Sequence, residues 1–129
     1  MLDNAWEGFH CCLFAYGQTG SGKSYSMVGY GTNRGIVPLA CEEIFRRISS
    51  NTDSEKSYQV TVSMLEIYNE RVQDLLINPT KRPKEGLKIR ENSTQGVYVE
   101  GVTKAAVNSF RDIERFTDEG TKNRTVGST

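Results

Sequence analysis

The chain has 129 residues, of which 25% are charged, and its 16 basic residues balance its 16 acidic ones. This length allows at most one domain, with enough residues to bury a core. A formal net charge of zero gives no overall field that would draw the chain to nucleic acid or to a membrane surface. No apolar run approaches the roughly 20 residues that a membrane span needs. A polyanionic partner would therefore have to be met by a local basic patch.

Three cysteines, Cys11, Cys12 and Cys41, show none of the spacings that are typical of metal sites. Their odd number and the lack of a signal peptide fit a reducing cytosol. Cys11 and Cys12 belong to an apolar run, where a thiol behaves as a small hydrophobic side chain. The sequence therefore predicts a cytoplasmic protein. His10, the only histidine, is expected to be structural rather than catalytic.

The first predicted element is a short buried strand over Cys11–Tyr16, because these residues are mainly apolar. Directly after it comes a segment that fits Gly-x-x-x-x-Gly-Lys-Ser/Thr, namely Gly17, Gln18, Thr19, Gly20, Ser21, Gly22, Lys23 and Ser24. The glycines let backbone N–H groups point inward around phosphate oxygens, and the N-terminus of a following helix adds partial positive charge. Lys23 can reach the β- and γ-phosphates, and the Ser24 hydroxyl can hold Mg²⁺. The pattern predicts a nucleoside triphosphate site, and the alternative is a flexible glycine-rich loop that carries a lysine by chance.

The remaining elements follow from hydrophobic periodicity. Residues 29–35 are rich in glycine and predict a surface loop. One apolar stripe then predicts a helix, through Val37, Ala40, Cys41, Ile44, Phe45 and Ile48. Alternation over Tyr58–Met64 predicts a strand, and the change of phase at Leu65 indicates a bulge or burial on both faces. Short strands are expected on either side of a turn over Asn92–Gly96, and a last helix begins at a capping box of Ser109 and Asp112.

Four segments of the chain carry a family resemblance. Phe14–Met27 closely resembles the nucleotide loop of kinesin motor domains, and Leu65–Leu76 is similar to a second kinesin signature. Val97–Gly101 and Gly120–Thr125 resemble a third and a fourth. The four occur in family order and are distributed along nearly the whole chain, which makes the resemblance specific.

The resemblance implies an α/β P-loop NTPase fold of the kinesin type, with a mainly parallel or mixed central sheet flanked by helices. Residues 1–129 would form the central part of a motor domain, from the nucleotide loop to the helix before the first switch loop, with no second domain. The family's switch loops and neck match no part of the sequence. The amino acids at positions 24–25 and 69–74 further resemble those of the cargo-transporting subfamily whose motors carry a forkhead-associated domain.

The implied function is ATP binding within a microtubule motor, and the parent protein would be a microtubule-stimulated ATPase that moves along microtubules. ATP and Mg²⁺ are the implied cofactors, and the position of Tyr25 in this family places its ring beside the adenine. An equal alternative for Tyr25 is a helix residue half-buried under the loop. This chain alone is not expected to be catalytically competent. One alternative is a non-motor microtubule-binding module that has lost hydrolysis. An unrelated P-loop ATPase or small-molecule kinase is disfavoured by Leu65–Leu76.

Basic residues concentrate in the second half of the chain, at the place where kinesins contact the acidic β-tubulin surface. The positions that resemble family contacts are Arg71, Lys88, Arg90 and Lys104. Gln95 stands where some kinesins carry a basic residue, and for Lys81, Arg82 and Lys84 a role in solubility alone is an equal alternative. Nucleic acid is disfavoured because no aromatic residues alternate with the basic ones as a stacking platform requires. The expected partner is the microtubule, in the cytoplasm and cytoskeleton, with no membrane contact and with cargo bound by other regions.

Overall fold

A computed structural model describes residues 2–14, 29–30 and 33–127 of the chain. It divides into two compact units, Met1–Tyr58 and Gln59–Thr129. The described elements of the first unit are the helices α1 (Leu2–Trp6) and α2 (Ile36–Ser49) and the two-residue strands β1 (Gly29–Tyr30) and β2 (Asn33–Arg34). The second unit contains β3 (Val60–Val62), β4 (Leu65–Tyr68), β5 (Arg71–Asp74), a 3₁₀ turn (Pro79–Lys81), β6 (Ile89–Asn92), β7 (Gly96–Val99), β8 (Ala105–Val107) and α3 (Phe110–Gly127).

Helix α2 confirms the apolar stripe that predicted it. Pro38 lies in its first turn, where proline costs no intrahelical hydrogen bond, and Arg46 and Arg47 lie in its last turn, near the negative end of the helix dipole. The N–H of Ser50 donates to the Arg46 carbonyl and closes the C-terminal turn at 3.1 Å. Partial burial raises the pKa of the Cys41 thiol, which keeps it a neutral, apolar side chain. None of the helix residues is fully buried.

The predicted buried strand over Cys11–Tyr16 is not observed in its described portion. Residues 11–14 form no β-ladder, and both Cys11 and Cys12 are exposed. Phe14 is 80% exposed. A central strand needs hydrogen-bonded neighbours on both edges and covered faces, and no strand in the described ranges supplies them. Residues 15 and 16 lie outside the described residues.

Every pairing among the described strands is antiparallel: β1 with β2, β3 with β8, β4 with β5, and β6 with β7. The first pair shows that the predicted glycine-rich loop contains a small hairpin. The parallel pairings expected of a central sheet are not among the described residues. The change of apolar phase near Leu65 marks neither a bulge nor a doubly buried strand. Instead Ser63 and Met64 separate two strands, β3 and β4, which pair with different partners.

A two-residue loop joins β4 to β5. Tyr68 pairs with Arg71 in the register, and the loop residues Asn69 and Glu70 both have positive φ, 52° and 62°. Two successive left-handed residues give the type I′ turn, whose twist matches that of the flanking strands. Asparagine tolerates this conformation, whereas glutamate adopts it at a steric cost. The hairpin is thus closed by a turn with one unfavourable residue.

The core of the second unit lies between the β4–β5 hairpin, β8 and α3. Its buried apolar side chains are Val72, Leu75, Val107 and Ile113. Helix α3 begins at the predicted capping box: the N–H of Asp112 donates to the Ser109 hydroxyl, and the N–H of Asn108 donates to the Asp112 carboxylate. Gly120 brings the helix against Met64, because a β-carbon at this position would collide with the Met64 sulfur. The described helices include none that is long and apolar enough to cross a membrane.

Candidate functional site

The predicted phosphate loop, Gly17–Ser24, and the adjoining Tyr25 lie outside the described residues. Their assignment to the nucleotide, and that of Ser24 to Mg²⁺, therefore remain predictions from the sequence. In the described ranges, no group of three or more His, Cys, Asp or Glu side chains is placed to hold a metal ion. The four basic residues predicted to contact a partner are all described, and they belong to the second unit.

Arg71 and Lys88 are brought together by the backbone. Val72 and Leu87 form an isolated antiparallel bridge, in which the Leu87 N–H donates to the Val72 carbonyl at 2.8 Å. Antiparallel pairing places Arg71 and Lys88, one residue beyond the bridge on each side, at adjacent positions. Gly86 permits this approach because its φ is +78° and a β-carbon there would lie 2.9 Å from the Val72 carbonyl oxygen. Both basic side chains are exposed.

The Arg71 guanidinium is fixed without losing its charge. Its Nη1 donates to the backbone carbonyl of Lys84 at 2.7 Å, which ties the start of β5 to the turn that follows the hairpin. A carbonyl accepts the hydrogen bond but does not neutralise the cation. Arg71 therefore presents a positive charge in a defined position, as an electrostatic contact with an acidic surface requires.

Arg90 differs from Arg71 in having an anionic partner. Its Nε lies 2.7 Å from Oε2 of Glu100, and about half of each side chain is exposed. The hydrogen bond and the attraction within this pair lower the pKa of the Glu100 carboxyl and raise that of the Arg90 guanidinium. Arg90 is thus engaged within the chain itself.

Lys104 stands apart from the other three predicted contacts. It precedes β8, which pairs with β3, whereas Arg90 belongs to β6 and Lys88 directly precedes that strand. Its side chain is exposed. The structure therefore groups Arg71, Lys88 and Arg90 around the junction of two hairpins, and it places Lys104 directly before a strand of a separate sheet.

A buried carboxylate organises the backbone behind these residues. Asp74 is 2% exposed, and its two oxygens accept hydrogen bonds from the N–H groups of Leu76 and Thr103, at 2.9 and 2.8 Å. Both oxygens are satisfied by backbone donors, so the group serves structure rather than acid–base chemistry. The hydrogen bond to Thr103 ties the segment that leads into β8 to the end of the β4–β5 hairpin.

Arg82 has a structural role as well as a charge. Its Nε donates to the Asp74 carbonyl at 3.0 Å and its Nη2 donates to the Asn123 carbonyl of α3 at 3.4 Å. Asn123 in turn donates its side-chain amide to the Leu75 carbonyl at 2.8 Å. These bonds join the hairpin, the following turn and the C-terminal part of α3. Of the three basic residues for which solubility was the alternative, Arg82 is half-buried, whereas Lys81 and Lys84 are exposed.

A family model for the kinesin motor domain matches residues 1–129. The chain belongs to the kinesin motor domain family. Kinesin-related protein 1 of Dictyostelium discoideum is 57% identical over 132 residues, which cover 100% of this chain and 6% of that protein. Kinesin-like protein KIF13B of Homo sapiens is 48% identical over 129 residues, which cover 100% of this chain and 7% of that protein.

Solved kinesin structures share the fold. KIF14 with ADP in complex with a microtubule is 45% identical with a TM-score of 0.84, over 94% of this chain and 34% of that one. The structure of a fast kinesin is 37% identical with a TM-score of 0.87, over 99% of this chain and 36% of that one. The predicted kinesin-type P-loop NTPase fold is therefore confirmed. The chain spans about a third of these solved structures and a much smaller share of the curated relatives.

Two features of this kinesin segment were not predicted from its sequence. Glu100 lies within the third kinesin signature, but only the register of β6 with β7 brings it to Arg90. The second feature is that Gly120, Asn123 and Arg124, all in the fourth signature, contact one side of the β4–β5 hairpin and the residues next to it. Arg124 lies 3.4 Å from the Glu66 carboxylate, in addition to the contacts of Gly120 and Asn123. The spacing of these three residues along one helical face was a usable signal for this contact.

Proposed function

We propose that this chain is the nucleotide-binding part of a microtubule motor, whose parent protein couples ATP hydrolysis to movement along microtubules. The observation that carries the proposal is the complete phosphate-loop pattern at Gly17–Ser24 in a chain that matches the kinesin motor domain throughout. KIF14 structures with ADP and with AMP-PNP in complex with a microtubule are 45% and 44% identical to this chain. They support both the proposed nucleotide binding and the proposed binding to microtubules.

The residues of this site have distinct tasks. The backbone N–H groups of Gly17–Gly22 would hold the phosphates, and Lys23 would supply a positive charge to the β- and γ-phosphates. The Ser24 hydroxyl would be a ligand for Mg²⁺, and Tyr25 would contact the adenine. Phosphoryl transfer depends mainly on positioning and charge stabilisation, so these residues bind and orient ATP.

Substitution of Lys23 tests the nucleotide site. In the full-length protein, Lys23→Ala should lower ATP turnover by a factor on the order of 10³ or more, because it removes a charge from the phosphates. Lys56→Ala is the matched control, since Lys56 is an exposed lysine in a loop. Turnover of Lys23→Ala within a few-fold of the wild type would refute the site. A wild-type protein that binds microtubules and ATP without turnover would instead indicate the non-motor alternative.

We further propose that Arg71, Lys88, Arg90 and Lys104 contact the acidic surface of β-tubulin. All four are exposed, and three of them meet at the junction of the two hairpins. The chain has no net charge that could attract an acidic partner from a distance. Local contacts of this kind set the affinity and its dependence on salt.

Charge reversal tests this surface. Arg71→Glu together with Arg90→Glu, in the full-length protein, should weaken microtubule binding about tenfold or more at low salt, and the difference should shrink as salt screens the contact. Lys56→Glu together with Arg111→Glu makes the same change of charge at other exposed positions. Equal loss in both double variants would show that only total charge matters.

The chain by itself is proposed to lack catalytic competence, as the central part of a motor domain. It covers 34% and 36% of two solved kinesin structures. The purified 129-residue chain should therefore bind ATP weakly and show no hydrolysis that microtubules stimulate. Repeated turnover by this chain, rising with added microtubules, would contradict this proposal.

The parent protein is further proposed to belong to the cargo-transporting subfamily whose motors carry a forkhead-associated domain. This proposal is supported by the amino acids at positions 24–25 and 69–74, which resemble those of that subfamily. Its proposed location is the cytoplasm, on the microtubule cytoskeleton. The complete coding sequence tests the subfamily, because a parent protein without a forkhead-associated domain would refute it. Imaging of the tagged full-length protein together with microtubules tests the location.

A further inference from the structure

The β6–β7 hairpin carries as many negative as positive charges. Between Lys88 and Glu100 the sequence contains two basic residues, Lys88 and Arg90, and two acidic ones, Glu91 and Glu100. The hairpin therefore has no net attraction for an acidic surface. Whether it binds one depends on how its four charged side chains are arranged.

Glu100 lies on the same face as both basic residues. Its N–H donates to the Lys88 carbonyl at 2.9 Å, which places the two residues opposite each other next to the pair Ile89–Val99. Arg90 is the diagonal neighbour of Glu100 across the strands, a distance that long side chains span. The two side chains are in direct contact, since Nε of Arg90 and Oε2 of Glu100 lie 2.7 Å apart. Glu91 follows Arg90 in the same strand, so its side chain points to the opposite face.

We propose that Glu100 limits the affinity of this surface for tubulin, because it engages the Arg90 guanidinium that would otherwise bind an acidic side chain of the partner. The inference rests on the proposed microtubule contact and adds a residue that opposes it. An acidic partner must compete with Glu100 for Arg90, and it also meets the negative charge of Glu100 itself. Glu100 is thus a determinant of specificity, which favours surfaces acidic enough to displace it.

The size of the effect follows from the exposure of the pair. Both side chains are about half exposed, so the ion pair within the chain is weak and a partner can displace it. Removal of the Glu100 charge should therefore tighten microtubule binding by a factor of about two to five at low salt. The gain should decline as the salt concentration rises, because the interaction is electrostatic.

The experiment measures cosedimentation of the full-length protein with microtubules, at about 50 mM salt and again at higher salt. Glu100→Gln keeps the size of the side chain and one acceptor oxygen, and it removes the charge. Glu91→Gln is the matched control, with the same change of charge one residue away from Arg90 on the other face. Arg90→Gln, alone and combined with Glu100→Gln, completes a double-mutant cycle.

The proposal expects tighter binding for Glu100→Gln, little change for Glu91→Gln, and loss of the gain when Arg90 is absent. Equal gains in Glu100→Gln and Glu91→Gln would overturn it, because total charge would then be the cause. A gain that persists in the Arg90→Gln background would also overturn it. If the wild type did not bind microtubules at all, the proposed function itself would fail. Wild-type binding with an unchanged Glu100→Gln affinity would refute only this inference.

Discussion

The two compact units of the chain differ in how their apolar side chains are covered. In the second unit, a hairpin and a helix face each other, and Val72, Leu75, Val107 and Ile113 are buried. In the first unit, no described large side chain is buried, and Leu39 on α2 is 54% exposed. An open apolar groove of about 330 Å³ lies within that unit, lined by both helices. An amphipathic helix thus acquires a core only where a facing element is present.

The interactions within each unit differ in kind. The second unit is closed by part-buried hydrogen bonds between distant parts of the sequence, such as Asn123 to the Leu75 carbonyl and Thr103 to Asp74. In the first unit, the described ion pair between distant parts of the sequence is exposed: Arg47 pairs with Asp3 at 2.7 Å. Arg47 also lies over the Trp6 ring, which stacks on Tyr58. Exposed ion pairs contribute about 0–1 kcal/mol each. The second unit should therefore be the more stable of the two.

The largest test of this comparison removes one leucine from each unit. Leu75 is fully buried, so Leu75→Ala should destabilise the second unit by about 2–5 kcal/mol. Leu39→Ala, the same change on the exposed side of α2, should cost under about 0.5 kcal/mol. Urea unfolding of the 129-residue chain, followed by circular dichroism, measures both. Equal effects would mean that the difference in burial between the units does not determine their stability.

The second test concerns the buried carboxylate. Asp74→Ala leaves the part-buried N–H groups of Leu76 and Thr103 without their acceptor and should cost about 1–3 kcal/mol. Asp74→Asn retains one acceptor oxygen and should cost about half as much. The same urea experiment measures the two variants, and Asp53→Ala in an exposed loop is the control. If Asp74→Ala were nearly neutral, water would have to satisfy both donors.

Local signals predicted some elements of both units. Helix α2 was predicted because its stripe, Pro38, Arg46 and Arg47 lie within one segment and need no distant partner. The β6–β7 hairpin and the capping box of Ser109 and Asp112 were predicted for the same reason. The phosphate-loop pattern also depends only on neighbouring residues, so it can be recognised from the sequence although residues 17–24 lie outside the described ranges.

Features that depend on the choice of partner were not predicted. The division between β3 and β4 follows from their different partners, β8 and β5, and the apolar pattern contains no information on these. The expected burial of residues 11–14 likewise required neighbouring strands. The pairing of Arg90 with Glu100 required the register between two strands. In each case the missing information is the identity of the element on the other side of an interface.

A third test relieves strain in the turn between β4 and β5. Glu70 has a φ of 62°, a conformation that costs a non-glycine residue about 1 kcal/mol. Glu70→Gly creates the favoured Asn-Gly type I′ turn and should stabilise the second unit by about 0.5–1 kcal/mol. Glu85→Gly, at another exposed glutamate, should not be stabilising. A loss of stability in Glu70→Gly would mean that the glutamate side chain makes a contact that outweighs the strain.

The smallest effect is expected on α2, in the first unit, and it depends on pH. Hydrogen bonds from Arg46 and then Arg47 lower the pKa of the Glu43 carboxyl from 4.5 to about 2. Because the folded pKa lies below the unfolded one, the contribution of Glu43 to helix stability is complete above about pH 4.5 and is lost as the pH falls toward 2. Wild type and Glu43→Gln should therefore differ in helix stability at pH 6 by the small contribution of an exposed ion pair, and this difference should vanish near pH 2. Circular dichroism of the chain across this range measures the difference, with Glu55→Gln in an exposed loop as the control. A difference that disappeared already near pH 4.5 would show that the two arginines do not hold Glu43, and the first unit would then have still fewer contacts than the second.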